Sequence, residues 1–219
     1  MKRKLVLYVI LLLFVASGGS IGYYYWYQGE HYVTTEDARI SADIYRVMPK
    51  MTGKLIELSI KEGDIVVADQ VVGQQDPGNL PTAMLESSLL RAPISGKVIK
   101  TNAKVGEVVS TGQTVAMVID ESDMYVSANI EETEIGRLKL GQTVDITVDA
   151  FPGKTLRGHL IEIGQATNSM FSLLPSVNTS GNFTKVTQRI PIKVAIDDTA
   201  GLSLSAGLNV EIKVHVKES

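Results

Sequence analysis

Cysteine is absent from the 219 residues. That excludes disulfides, thiolate metal sites, a cysteine nucleophile and a lipidated N-terminal cysteine. Histidine is scarce: His31, His159 and His215 stand far apart, so no metal site is assigned. Excess positive charge is also missing. The net charge is −3, and three of the 21 basic residues are spent at Lys2, Arg3 and Lys4. The rest is more acidic still and has no electrostatic footprint for nucleic acid, which is excluded as a partner. No Ser/His/Asp set and no paired acids on a structured cleft can be assembled. Asp123, Asp145 and Asp149 are spread along strand-like segments. Glu131, Glu132 and Glu134 read as a solvated helix face whose acids suit a helix N-terminus. No catalytic residue is assigned, and the chain is expected not to be an enzyme.

The first long feature is itself an absence: no charge occurs from Leu5 to Gly29. Leu5–Val15 is strongly apolar, and Tyr23, Tyr24, Tyr25, Trp26 and Tyr27 follow as an aromatic cluster. As a helix, Leu5–Tyr27 would span roughly 35 Å, enough for a bilayer. Basic residues before it and Tyr/Trp after it match the positive-inside rule and the interfacial belt. The expectation is a single-pass anchor in the cell membrane, with a cytoplasmic N-terminus and the bulk of the chain extracytoplasmic. The competing reading is a cleaved signal peptide with Ala16-Ser17-Gly18 as its site. The aromatic belt beyond that site favours the retained anchor.

A repeat organises the middle of the chain. Gly53–Val72 aligns without a gap on Gly96–Val115 at an offset of 43 residues. Gly53, Lys54, Ile56, Lys61, Gly63, Val66, Gln70 and Val72 meet Gly96, Lys97, Ile99, Lys104, Gly106, Val109, Gln113 and Val115. Two copies are too few for a solenoid and suit a pseudo-symmetric pair of β units sharing one core. Gly53, Gly63, Gly96 and Gly106 are assigned as structural turns. Glycine before the acids Asp64 and Glu107 supplies a positive φ cheaply, and the β-branched runs around Val66 and Val109 are strand-prone. Between the copies lies a connector, residues 77–90. Pro77, Gly78 and Pro81 break structure early there, and Thr82–Leu90 is expected as a short helix behind Pro81.

Tyr32–Asp43 is polar and extended, and is expected to add a strand to a distal domain. Beyond Ser122 the pattern alternates. Val186, Ile190, Ile192, Val194 and Ile196 share one face, as do Val210, Ile212, Val214 and Val216. Period-two alternation with one wet face means antiparallel strands. Five or so of these, with one short helix over Glu131–Arg137, predict a small closed β-barrel. Within the polar loop before Thr184, the apolar residues Phe171, Leu173, Leu174 and Phe183 are assigned as a partner contact, because exposed apolar patches often mark partner surfaces. The division expected is 1–29 basic start and anchor, 30–43 extended segment, 44–120 β units around the connector 77–90, and 121–219 β-barrel.

Each half of the repeat resembles half of a biotinyl/lipoyl-type flattened barrel. In the carriers of that fold a modifiable lysine sits at the hairpin joining the halves. Here no lysine occurs between Lys61 and Lys97, so no cofactor is expected. The whole series resembles the HlyD-like membrane fusion proteins, or periplasmic adaptors, in their EmrA-type multidrug branch. The stretches that carry this are TTEDARISADIYRVMPKMTGKL (Thr34–Leu55), RAPISGKV (Arg91–Val98), ANIEETEIGRLKLGQTVDITVDAFPGKTLRGHL (Ala128–Leu160) and FSLLPSVNTSGNFTKVTQRIPIKV (Phe171–Val194). The resemblance implies a mostly β fold: transmembrane helix, split lipoyl-like barrel-sandwich domain, and β-barrel. It also implies a non-enzymatic adaptor subunit of an efflux or secretion transporter. Its partners would be an inner-membrane exporter of major-facilitator or ABC type and further copies of itself. Family members usually insert a long coiled-coil hairpin between the lipoyl halves. With only residues 77–90 there, docking to an outer-membrane channel is not expected. The alternative is an anchored extracytoplasmic ligand-binding or scaffolding β-domain acting without an exporter.

Overall fold

The uncharged, proline-free N-terminal run forms one helix, α1 (Lys2–His31), which passes Gly18, Gly19 and Gly22 without a break. The computed structural model of the chain describes residues 2–78, 81–171 and 187–216; the side chains of residues 2–10, 82–84 and 171 lie outside that description. Among the described residues no helix is long and apolar enough to cross a membrane, and in α1 the described side chains begin at Leu11. From Leu11 to Trp26 the large apolar side chains of α1 are all exposed. The helix hands over directly to β1 (Tyr32–Ser41), with no loop.

Two compact units follow from the contacts: Ser41–Met124, and Met1–Ile40 with Tyr125–Ser219. The first holds the repeat. Its strands are β2 (Ile44–Val47), β3 (Gly53–Leu58), β4 (Ile65–Val66), β5 (Val71–Gln75), β6 (Leu89–Arg91), β7 (Gly96–Thr101), β8 (Val108–Val109) and β9 (Ala116–Ile119). They form two four-stranded sheets, β2-β9-β7-β4 and β6-β5-β3-β8. Each sheet takes two strands from each half of the unit, β2–β5 and β6–β9. The exchange is reciprocal: Ile65 and Val66 pair with Lys97 and Gly96, as Val108 and Val109 pair with Lys54 and Gly53. The core between the sheets repeats the offset, since Val47, Leu55, Ile60, Val66 and Val72 are buried together with Leu90, Val98, Ala103, Val109 and Val115.

The glycine positions divide into two kinds. Gly63 and Gly106 sit in turns at φ +94° and +96°. Gly53 and Gly96, read as turns, instead open strands β3 and β7. At Gly96 the reason for glycine is a close approach, because a Cβ there would lie 2.1 Å from the Ile119 carbonyl oxygen. Gly78, in the connector, also has a positive φ, +51°, with open space around it.

The second unit is a closed barrel of β1 with β10 (Tyr125–Glu131), β11 (Thr143–Val148), β12 (Thr155–Ile163), β13 (Arg189–Asp198) and β14 (Asn209–His215), in the order β1-β10-β13-β12-β11-β14. A one-turn helix, α2 (Glu132–Ile135), follows β10. The extended segment after α1 is thus a barrel strand: Tyr32–Thr35 pairs with His215–Ile212, and a bulge at Glu36-Asp37 resets the register before Ala38 meets Val210. Alternation fills the barrel with Val126, Ala128, Ile130, Val144, Ile146, Val148, Ile192, Val194, Val210, Ile212 and Val214, all buried. Val186 of the expected strand face lies outside the described residues, and the strand itself begins at Arg189.

Gly96→Ala forces a backbone carbonyl to move and should cost about 3 kcal/mol. Gly78→Ala meets only the left-handed penalty of about 1 kcal/mol. Thermal melts of the full chain in detergent followed by circular dichroism check this: Gly96→Ala should melt clearly lower, and coincident melts would refute the close-approach account.

Candidate functional site

The repeat builds its turns twice over. The Asp64 carboxylate accepts from the Lys61 N–H at 2.8 Å, and Glu107 accepts from the Lys104 N–H at 3.1 Å. The Gly63 N–H donates to the Val98 carbonyl at 2.8 Å, and Gly106 to the Leu55 carbonyl at 2.7 Å. Gln70 and Gln113 accept from the Val67 and Ser110 N–H groups at 2.9 and 3.1 Å. Asp69, at φ +63°, stands where the second copy has Gly112 at φ +84°. These turns position strands.

Between the copies the chain makes a short return, with no hairpin among the described residues. The Asp76 carboxylate accepts from the Gly78 N–H at 2.9 Å, and a 3-10 helix, Thr82–Ser88, starts behind Pro81. Its far end is tied down by Arg91, which donates to Glu86 at 2.6 Å and to the Asp69 carbonyl at 2.7 Å. At its base, the wholly buried Gln75 amide donates to the Met51 carbonyl at 2.9 Å and to the Gly53 and Val109 carbonyls at 3.3 Å.

Sequence reasoning missed the junction of α1 with the barrel. A helix leaves its last four carbonyls without intrahelical donors. Here Arg137, just beyond α2, donates to the Gly29 carbonyl at 2.6 Å and to Glu30's at 2.9 Å. The Val216 N–H donates to the His31 carbonyl at 3.0 Å. Arg137 is held in turn by Glu134. A cation at a helix C-terminus is favoured by the partial negative charge there. Around the same end, Tyr27 stacks on His31 at 3.9 Å between ring centroids, and the Lys213 ammonium lies 3.9 Å from the centre of the Tyr32 ring. Nothing local to Arg137 announces a partner more than a hundred residues away.

The histidines go to structure rather than to one centre. His215 meets Asp145 at 2.8 Å and His159 meets Asp197 at 2.5 Å, on different strand pairs. Among the described residues no three His, Asp or Glu side chains are placed to hold a metal. The Ser122 hydroxyl and N–H hold the exposed Asp120 carboxyl below its ordinary pKa. Of the assigned partner contact, Leu173, Leu174 and Phe183 lie outside the described residues. Phe171 ends a 3-10 helix, Asn168–Phe171, with its side chain also outside the description.

Comparison with known proteins bears on both units. The family described as RND MFP, barrel-sandwich hybrid domain, matches residues 43–121, and the AAEA-like beta-barrel domain matches residues 123–215. YhbJ of Bacillus subtilis (strain 168), whose name makes it an efflux system component, is 35% identical over 191 residues, covering 85% of this chain and 81% of YhbJ. The multidrug export protein EmrA of Haemophilus influenzae is 35% identical over 138 residues, covering 62% of this chain and 35% of that protein. The chain thus spans well under half the length of the EmrA relatives it matches. In fold it is similar to the periplasmic adaptor protein EmrA (TM-score 0.55, 14% identity, 84% of this chain and 98% of that one). It is likewise similar to the membrane fusion protein Spr0693 of Streptococcus pneumoniae R6 (TM-score 0.62, 15% identity, 85% and 99%).

Arg137→Ala removes two charge-assisted hydrogen bonds from the end of α1, part-exposed ones worth about 1 kcal/mol together. Hydrogen exchange of the peptide over residues 27–34, measured in the full chain, should speed up about fivefold, with Arg137→Lys in between. Unchanged exchange would mean that Arg137 does not hold the helix end.

Proposed function

The chain belongs to the EmrA-type branch of the membrane fusion proteins, a non-enzymatic adaptor family that works with inner-membrane exporters, and we propose that it is the anchored adaptor subunit of a multidrug efflux transporter with a major-facilitator partner. The observation that carries this is the match to YhbJ, which runs through both β domains and covers most of both chains. An ABC exporter would meet the same surfaces and is the variant of this reading. No reacting group is required of the chain: its work is to bind the exporter, bind further copies of itself, and stay at the membrane. On this reading the protein is no enzyme and carries no cofactor.

The anchor is proposed to be α1 as a whole, single-pass, with the N-terminus cytoplasmic. Thirty residues of helix measure about 45 Å, and the sequence is uncharged from Leu5 to Gly29. The exposed side chains from Leu11 to Trp26 have no protein to cover them among the described residues; lipid would. Lys2, Arg3 and Lys4 set the orientation. The domain division 1–29, 30–43, 44–120 and 121–219 is retained as a working map, with β1 taken from its second piece into the barrel. With a seven-residue 3-10 helix as the one element described between the lipoyl-like halves, the adaptor is proposed to act at one membrane, without an outer-membrane channel.

Phe171, Leu173, Leu174 and Phe183 are proposed as the exporter contact on sequence grounds. Pull-down of the tagged full chain from its native membranes should enrich an exporter, and deletion should raise drug sensitivity. Phe171→Ser with Leu174→Ser should lose the exporter and keep the melting temperature. A pull-down without an exporter and unchanged drug sensitivity would return the chain to a scaffold acting alone; a lowered melting temperature with the exporter retained would make the loop part of the barrel's packing.

A further inference from the structure

A cavity of about 270 Å³ lies where α1 ends on the barrel. Gly29 and Tyr32 from the helix end line it, with Glu131, Glu134 and Arg137 around α2 and Arg189 at the start of β13. Its size is just under the roughly 300 Å³ at which sites for drug-sized molecules begin. The walls carry charge of both signs. Arg137 is paired with Glu134, and Arg189 donates to Asp37 at 2.5 Å, leaving further N–H groups on a half-exposed guanidinium. Glu131 is exposed and has no ion-pair partner among the described residues. The C-terminal end of α1 adds partial negative charge beside it. One wall therefore suits an anion and another suits a cation, and the two arginines and two glutamates of the lining balance.

Depth fixes what kind of molecule arrives there; this step rests on the anchor reading of α1. The aromatic cluster Tyr23–Tyr27 would lie at the interface. Gly29 is three residues beyond Trp26, about 4–5 Å along the helix axis. The headgroup layer outside the hydrocarbon is roughly 5–7 Å thick on each side. The mouth of the cavity thus stands within the headgroup layer and not above it. Because Arg137 fixes the helix end to the barrel through the Gly29 and Glu30 carbonyls, that height is built into the structure.

We propose that this cavity binds the headgroup of a zwitterionic phospholipid bearing a primary amine, with the ammonium toward Glu131 and the phosphate toward Arg189. A primary ammonium offers three N–H donors to a carboxylate, which a quaternary ammonium lacks. An anionic headgroup without an amine would leave Glu131 facing it unpaired. Soluble phosphoethanolamine shares this chemistry, so the test must separate the two sources.

The test uses the full chain and its Glu131→Gln and Arg189→Gln variants, extracted in mild detergent from vesicles of equal phosphatidylethanolamine, phosphatidylcholine and phosphatidylglycerol, with the retained lipid read by native mass spectrometry. Wild type should retain phosphatidylethanolamine over the other two by about fivefold, the ratio one exposed ion pair supports. Each variant should lose that preference while keeping its melting temperature. Equal retention of the three lipids, preference for phosphatidylglycerol, or variants that select as wild type does would each overturn the site. Calorimetry of the lipid-free protein with free phosphoethanolamine forms the second arm, and binding as tight as that of the lipid would overturn the lipid assignment. Alkaline carbonate extraction of the same vesicles reports the anchor separately. A chain washed off the membrane overturns both readings, whereas a retained chain with no lipid preference overturns this one alone.

Discussion

Neither half of the repeat can complete a sheet by itself. β4 has its partner in β7 and β8 has its partner in β3, so each copy closes the other's sheet. A half alone would expose strand edges and one face of a shared core. Folding therefore requires both copies, and the segment between them has one obligation, to carry the chain from Gln75 to Leu89. That obligation is light. A return through Pro77, Gly78 and a seven-residue 3-10 helix meets it, and a long insertion would meet it too, because the ends lie in paired strands, β5 and β6.

The barrel makes a second closure of the same kind. Its strand β1 comes from before the sandwich in sequence and the other five from after it, so the sandwich is an insertion between the first barrel strand and the rest. The helix α1 then ends on the strand that closes the barrel, and donors from Arg137 and Val216 occupy its last carbonyls. A helix end satisfied by side chains and backbone of the barrel has a defined direction.

Much of this was legible in the residues. The offset of 43 gave the paired core, because Leu55 and Val98, or Val66 and Val109, occupy the same inward positions twice. Period-two alternation gave β13 and β14. What was hidden was partnership. Nothing in Ile65-Val66 says that it pairs with the other copy, because strand propensity does not name a neighbour. Gly96 and Gly106 are both invariant between the copies, yet one lies against a carbonyl and the other turns the chain. Asp69 had a readable signal: it aligns with Gly112, and aspartate tolerates the left-handed region. The strand expected over Tyr32–Asp43 is β1, and only its bulge at Glu36 and Asp37, where alternation is interrupted, was not read. Arg137 had no local signal at all. The partner contact at Phe171, Leu173, Leu174 and Phe183 rests on sequence still.

The connector is short. Seven residues of 3-10 helix measure about 14 Å, and Pro77 and Pro81 keep the chain from winding a longer one. A coiled-coil arm needs several heptads of apolar a and d residues, for which residues 77–90 have no room. The most direct measurement is drug export by the adaptor and its exporter, co-expressed in a two-membrane host deleted for outer-membrane channels. The account predicts full resistance without any such channel and no cross-links from residues 77–90 to one when it is restored. Resistance that appears only when the channel is added, with cross-links from 77–90 to it, would contradict the account.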